Sequence, residues 1–345
     1  MPTNEGASGA TDGATDGATM RAVMHERYGG AEVLSVGRTP VPMPRPGEVL
    51  VRVQAVALNP ADKFLMLGKP ALVRLAMGLA KPSPHHRVRG HDFSGTVAAL
   101  GAGVTGMAVG DAVFGSSDGA LAEYVRAKVG VVAHRPASLS VEHAAALPMA
   151  GLAALHGLRD AARVQGGEHV LVHGAAGGIG TFAIQIAKSL GADVTAVCST
   201  RNVELVCGLG ADHVLDYTQG PLTRSDRRYD VILDNVGNHG LGELLALLTP
   251  AGRLVSNSGE VGPDGGPIAR LQKAQGRALL GRQRVRSYLS TPNAVDLALL
   301  AVMAVDGRIR PVIDEVFAFE RAADAMAYVA TRRARGKVVV AVTPS

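Results

Sequence analysis

The stretch HVLVHGAAGGIGTFAIQIAKSLGADVTAVCS, residues 169–199, restricts the fold of this chain more than any other. An apolar run of strand length enters a glycine-rich loop, and the loop opens a helical pattern. A second apolar run follows once Gly191 has ended the helix. Strand, helix and strand in that order form a parallel crossover unit. Within the loop HGAAGGIG, Gly174 permits the tight turn, and Gly177 and Gly178 let backbone N–H groups approach a pyrophosphate. Gly180 lets the helix pack closely on the sheet, and Ala176 and Ile179 complete the loop. The helix N-terminus then faces the phosphate charge. A glycine triplet alone would serve equally well as a plain turn; the strand before it and the helix after it give the dinucleotide reading.

The end of the second strand chooses the cofactor. An NAD site places Asp or Glu there for the ribose 2′-hydroxyl, whereas this chain has Ser199, Thr200 and Arg201. Two hydroxyls and a guanidinium suit a 2′-phosphate dianion that an acid would repel, so the expected cofactor is NADPH. The competing reading has Arg201 opening a solvated helix and pairing with Glu204.

With 345 residues the chain exceeds the usual size of one core. Residues 1–19 repeat Ala-Thr-Asp-Gly, lack the basic start and apolar core of a signal peptide, and are expected to be disordered. Short alternating runs broken by Pro and Gly over 20–140 predict an irregular, mostly antiparallel β domain. Residues 141–309 repeat strand and helix and predict a doubly wound Rossmann domain. The segment 310–345 is β-like with one helix, and its strands are expected to return to the first domain. The fold class is therefore α/β.

A net charge of +5 is mild for this length and gives no reason to expect nucleic acid. Cys198 and Cys207 are the only cysteines, too few for a disulfide framework or a four-cysteine zinc lobe, which fits a cytoplasmic setting. No apolar run approaches the roughly 18 residues of a membrane span. The segment IARLQKAQGRALLGRQRVRSY, within 268–288, carries six Lys/Arg and no acid. It reads either as a solvated helix over a cleft entrance or as a contact for an anionic surface or acidic substrate. His85 and His86 are too isolated to hold a metal.

The ordered motifs NPAD, GHDFSGTVAALGAGVTGMAVGDAVFG, GALAEYV, AAALPMAGLAALHGL, GADHVLDY, YDVILDNVG and GKVVV resemble the medium-chain dehydrogenase/reductase superfamily. The likeness runs from Met20 to Val342 and is nearest to its zinc-free quinone oxidoreductase (zeta-crystallin-like) branch. It implies a GroES-like first domain, a substrate cleft between the domains and a homodimer. In the zinc enzymes of the superfamily the catalytic metal takes three ligands from segments where this chain offers Asn59, His91 and Pro148. One ligand of three remains, so no zinc is expected. His91 is expected at the cleft wall, with Asp92 setting its tautomer or capping backbone.

Asn59 and then Lys63 are the expected polar contacts to substrate, while Asp62 reads as a helix cap. Phe64 stands where many quinone oxidoreductases carry tyrosine, and Ala153 where the family often has a cofactor-binding threonine. The resemblance also implies Tyr217 near the adenosine phosphate, Asn235 and Gly237 near the ribose, Gly259 beside the nicotinamide and Lys337 across the cofactor cleft. The expected activity is zinc-independent hydride transfer from NADPH to a quinone or an α,β-unsaturated carbonyl. Its oxyanion is held by Asn59 or backbone N–H groups, and its proton comes from water. The alternatives are an enoyl-thioester reductase and, from another class, an NADPH-binding redox sensor or RNA-binding protein without turnover.

Overall fold

The computed structural model describes residues 17–71, 73–222, 226–257, 263, 273 and 284–342. Gly259 and most of the basic segment 268–288 lie outside the described residues, as does most of the N-terminal repeat.

The chain enters through an antiparallel pair, β1 (Thr19–Met24) and β2 (Ser35–Pro40). β3 (Glu48–Leu58) follows, and its Val49, Val51, Val53 and Val56 pack into the main core of this part of the molecule while Leu50 faces a smaller cluster beside β1. Both faces of β3 are thus covered, which is why EVLVRVQAVAL carries few charges. Asn59 and Pro60 then stop the strand and open helix α1 (Pro60–Leu67), Pro at the first helical position losing no hydrogen bond. Gly68, at φ 60°, ends it in the left-handed conformation. Helix α2 (Val73–Met77) leads on to β4 (Asp92–Leu100), β5 (Ala112–Ser116), β6 (Tyr124–Lys128) and β7 (Val132–His134).

Helices α3 (Val141–Ala146) and α4 (Pro148–Leu155) carry the chain to a second sheet, α4 running directly into a π-helical turn at His156–Ala162. Then come β8 (His169–His173), α5 (Gly178–Ser189), β9 (Asp193–Cys198), α6 (Val203–Gly208), β10 (His213–Asp216), β11 (Tyr229–Asp234), α7 (Leu241–Ala246), β12 (Leu248–Ser256) and β13 (Arg284–Ser287). Six parallel strands lie in the order β10-β9-β8-β11-β12-β13, the doubly wound order whose ligand crevice lies at the carboxyl ends of the strands where the winding reverses, between β8 and β11. α5 is buried from Gly180 to Ala187, so its sequence is apolar almost all round. A fully buried Phe or Ile such as Phe182 or Ile184 contributes about 1.5–3 kcal/mol.

After helix α8 (Ala294–Val305) the chain leaves this sheet. β14 (Ile313–Ala318), helix α9 (Ala322–Ala330) and β15 (Lys337–Ala341) complete the first sheet, in the order β14-β15-β3-β4-β5-β7 with β6 also on β3. β15 runs antiparallel to β3, Val338 opposite Leu58. On its way there the chain passes over the glycine loop: Gly336 forms a bridge with Gly177, and its N–H donates to the Ala176 carbonyl at 2.9 Å. This crossing joins the two sheets at the place where the sequence carries its chemistry.

Candidate active site

The glycine loop is a cradle with no room for side chains at Gly174 and Gly180. Gly174 turns at φ +75°, where a Cβ would come within 2.8 Å of Val236 Cγ2. At Gly180 a Cβ would lie 2.2 Å from the Gly174 carbonyl oxygen. Gly177 and Gly178, at the start of α5, have backbone facing the loop, and a Cβ on Gly178 would meet the Lys337 stem at 3.2 Å. A twelve-residue helix thus offers its N-terminus at the carboxyl edge of the parallel sheet. This geometry fits a dinucleotide pyrophosphate.

Beside it, the ends of β8, β11 and β12 are tied together. Asn235 donates to the His173 carbonyl at 3.1 Å and accepts from Asn257 at 3.1 Å. Asp234 Oδ1 lies 2.9 Å from His173 Nδ1 and accepts the N–H groups of Val236 and Gly237 at 3.2 and 3.0 Å. Gly237 itself adopts φ +78°. Asn235 and Gly237 therefore stand at the strand end beside the glycine loop.

At the far end of the crevice, Ser199 begins the turn after β9 and accepts from Asn202. Thr200 is hydrogen-bonded to Asp216 at 2.5 Å and to Thr218 at 2.8 Å. Arg201 donates to the Arg333 carbonyl at 2.7 Å, so it docks on the loop that holds Arg332, Arg333 and Arg335 rather than pairing with Glu204. Tyr217 is 59% exposed next to these groups. Asp216 was not in view from sequence, because it belongs to the third strand and comes beside Thr200 only through the β10–β9 pairing.

The deepest part of the site joins α1, β4, α4 and β15. Asn59 is buried, donates to Asp92 Oδ2 at 2.8 Å and to the Ala57 carbonyl at 3.3 Å, and accepts from Lys337 Nζ. Lys337 Nζ is also 3.6 Å from Asp92 Oδ2, and the Met149 N–H donates to the same oxygen at 3.1 Å. Asp92 Oδ1 is buried without a hydrogen-bond partner. Burial pushes the Asp92 carboxyl up, against the Lys337 charge, and burial pushes Lys337 down, against Asp92 and Asp62. Burial thus works against both charges, and in each case the partner's charge opposes it.

A second chain of contacts runs alongside. Asp62 Oδ2 accepts the Asn59 N–H at 2.8 Å, which makes it the expected helix cap. Its other oxygen lies 2.5 Å from His91 Nδ1, and His91 Nε2 lies 2.8 Å from Asp118 Oδ1. Burial opposes charge on His91, but the two carboxylates outweigh it and push its pKa up to about 10. Burial likewise opposes charge on Asp62, yet His91 and the Asn59 N–H hold that carboxyl below its usual range. The His91 hydrogen bond does the same for Asp118.

Several expectations change here. Of the two roles expected of Asp92, orienting His91 falls to Asp62, because His91 ends the loop before β4 and turns towards α1; Asp92 takes the other, accepting the backbone N–H of Met149 at the start of α4, and also holds Asn59. Asn59 was expected to donate to substrate, yet both its N–H groups and its oxygen are engaged within the protein. Lys63 lies 5.8 Å over the Phe64 ring and joins neither chain of contacts. Asp118 was missed: the loop SSDGA offers no sign of it before folding brings that loop to His91.

The donor set is also unlike a catalytic zinc site. Asn59 presents an oxygen already taken by an ammonium, His91 has a carboxylate on each nitrogen, and Pro148 has no donor side chain. A dication at this point would sit against Lys337 Nζ. The residues present do not fit zinc.

Residues 45–137 match the alcohol dehydrogenase GroES-like domain family, and residues 209–340 match the zinc-binding dehydrogenase family. The chain is 34% identical over 337 residues to tomato (Solanum lycopersicum) 2-methylene-furan-3-one reductase, covering 93% of this chain and 79% of that protein. It belongs to the medium-chain dehydrogenase/reductase superfamily. A second member, the chloroplastic NADPH-dependent alkenal/one oxidoreductase of Arabidopsis thaliana, is 32% identical over 93% of this chain and 79% of its own length. Among solved members, the quinone oxidoreductase of Coxiella burnetii superposes with a TM-score of 0.83 at 30% identity, covering 94% of this chain and all (100%) of that one. The fold is thus that of an oxidoreductase of this superfamily.

Proposed function

We propose that this chain is a zinc-independent, NADPH-dependent reductase of quinones or α,β-unsaturated carbonyls. The observation that carries the reading is Lys337, which lies against the glycine cradle at Gly178 and reaches Asn59 where the family's zinc enzymes hold a metal ligand. The names of the relatives, a furanone reductase, an alkenal/one oxidoreductase and a quinone oxidoreductase, point to the same class of acceptor.

Gly174, Gly177, Gly178 and Gly180 would cradle the pyrophosphate, Asn235 and Gly237 the nicotinamide ribose, and Ser199, Thr200, Arg201 and Tyr217 the adenosine phosphate. When bound, the dihydronicotinamide supplies a hydride, which an electron-poor carbon accepts while charge spreads to oxygen. Gly259 is assigned to the nicotinamide by resemblance alone. Lys337 and Asn59 position the cleft wall and set its charge. His91, held as an imidazolium by Asp62, supplies the proton to the reduced oxygen as the exposed Asp118 carboxylate moves aside; Asp118 then reloads it from solvent. That gives the proton a source other than bulk water.

Chain association fits a homodimer. Among the described residues β13 is one of the two edge strands of the six-stranded sheet, and nearby Leu289 and Val295 are 85% and 79% exposed. Both cysteines are free, in keeping with a reducing, cytoplasmic compartment. Among the described residues no helix is long and apolar enough to cross a membrane.

The deciding experiment follows NADPH oxidation with quinones, enones, enals and enoyl thioesters, each with and without chelator. Chelator-resistant turnover of a quinone or enone is the expected result. Turnover of thioesters alone would transfer the assignment to enoyl-thioester reduction, and zinc-restored activity after chelation would overturn the zinc-free reading.

A further inference from the structure

Residues 63–91 contain six Lys/Arg and not one Asp or Glu. From Gly68, at the end of α1, the described residues of this stretch form a lobe that returns to the site at His91. On it Leu75 and Leu79 are 66% and 68% exposed. Lys69, Ala71, Ala76, Ala80 and Lys81 are exposed around them. The lobe is held in this posture from beneath: Tyr28 donates to the Gly78 carbonyl at 2.6 Å, the Ser83 N–H donates to Met77 at 2.7 Å, and Arg74 stacks on Tyr28. The leucines are therefore presented outward by a fixed backbone.

Four of the six cations are turned to other groups. Arg89 is buried and donates to the His86 carbonyl, and Lys63 lies over the Phe64 ring. Arg74 is spent on the carbonyls of Gly68 and Leu67, Arg87 faces Glu26 at 3.8 Å, and His91 faces Asp118. Among the described residues, Lys69 and Lys81 have no acidic partner. Two leucines flanked by two such lysines, with no acid in 29 consecutive residues, have the composition of an interfacial membrane contact. Two leucines and three alanines offer far less than the roughly 800 Å² per partner of a stable protein interface. Shallow insertion into a headgroup layer needs no more than they provide.

We propose that this lobe docks the protein on an anionic lipid bilayer. α1 has eight residues and rises ~12 Å between Asn59 and the lobe. Docking therefore brings the cleft within about one helix length of the membrane, where lipophilic quinones and alkenals partition. That consequence rests on the reductase reading; the docking does not.

The test is co-sedimentation of the full chain with phosphatidylcholine vesicles, with and without phosphatidylglycerol. Binding is expected only with phosphatidylglycerol, and it should weaken as salt is raised. Lys69→Gln and Lys81→Gln should each cut partitioning about fivefold, and Leu75→Glu with Leu79→Glu should abolish it. All variants should keep NADPH binding, melting temperature and reduction of a water-soluble quinone. Equal binding to both vesicle types, no binding to either, or full binding by the leucine variant would overturn the proposal. Self-association of the parent chain that the leucine variant loses would assign the face to a second copy instead. Vesicle binding without turnover of any acceptor would leave the docking standing and remove the reductase reading.

Discussion

Lys337 and Asn59 are 278 positions apart in sequence and hydrogen-bonded in the fold. The ammonium that makes this contact also faces Asp92, and its stem lies beside the first turn of α5, so one side chain touches the first sheet, the second sheet and the crossing between them. Replacing it by Lys337→Met leaves Asp92 buried without its counter-charge, and loss of one partner from such a pair costs about 3–5 kcal/mol. The melting temperature is expected to fall clearly. Adding Asp92→Asn to Lys337→Met should recover part of the loss, and a double-mutant cycle by denaturant titration measures the coupling. Strict additivity would mean that the pair does not interact.

His91 gives a pH dependence with a defined sign. Its pKa is raised in the folded protein to about 10 from an unfolded value of 6.5, so the stability gained from its charge is complete below the unfolded value. That stability is lost as pH rises through about 10. The rate should share this alkaline limb if the imidazolium delivers the proton. Asp118→Asn removes one of the two supporting carboxylates and should move the limb to lower pH, while Asp62→Asn should move it further and also destabilise the start of α1. A pH–rate profile unchanged by Asp118→Asn would remove His91 from proton delivery.

The glycine cradle predicts a graded response. Gly180→Ala places a methyl 2.2 Å from a backbone carbonyl that cannot rotate away. Overpacking of that kind costs about 1–3 kcal/mol and should displace the loop, weakening NADPH binding together with stability. Gly336→Ala meets the Val312 carbonyl at 2.3 Å from a φ of +77°, and should disturb the crossing in the same way. Gly130, where a Cβ would meet nothing within 4 Å, is the control: Gly130→Ala should leave thermal unfolding and dinucleotide fluorescence unchanged.

Cofactor choice is expected to reside in Arg201. Its guanidinium docks on the 331–335 loop at the edge of the crevice, and a charge-assisted hydrogen bond is worth about 1.5–3 kcal/mol. Arg201→Ala should therefore weaken NADPH roughly tenfold to a hundredfold and leave NADH nearly untouched. Asp216 opposes a phosphate at the same corner, so Asp216→Asn should move the preference further towards NADPH. Titration of both cofactors against each variant checks the pair, and parallel losses for NADH and NADPH would place the 2′-phosphate elsewhere.

Which parts of the site could be read in advance follows the range of the interactions. Gly174 to Gly180 were readable because strand, turn and helix are set by neighbours along the chain, and the same residues then meet the ligand. Asp62 was readable as a cap for the same reason. Asp118 and Asp216 were not, since each acquires its role only when a loop or strand remote in sequence is laid beside another. Asn59 was assigned too much freedom: its type and position were plain, but the three groups that occupy its amide come from Ala57, Asp92 and Lys337, and only one of these is local.

By itself the sequence determined the strand–helix–strand unit around the glycine loop, the absence of an acid after β9 and the family these imply, because periodicity and turn chemistry act over a few residues. Only the tertiary structure decided which buried charges meet. Burial makes an isolated charge costly, so each must find a partner. Which partner is within reach depends on how the second sheet is crossed at Gly336 and on the register of β15 against β3. Those quantities have no local signature, and they are what put Lys337 on Asn59 and His91 between two carboxylates.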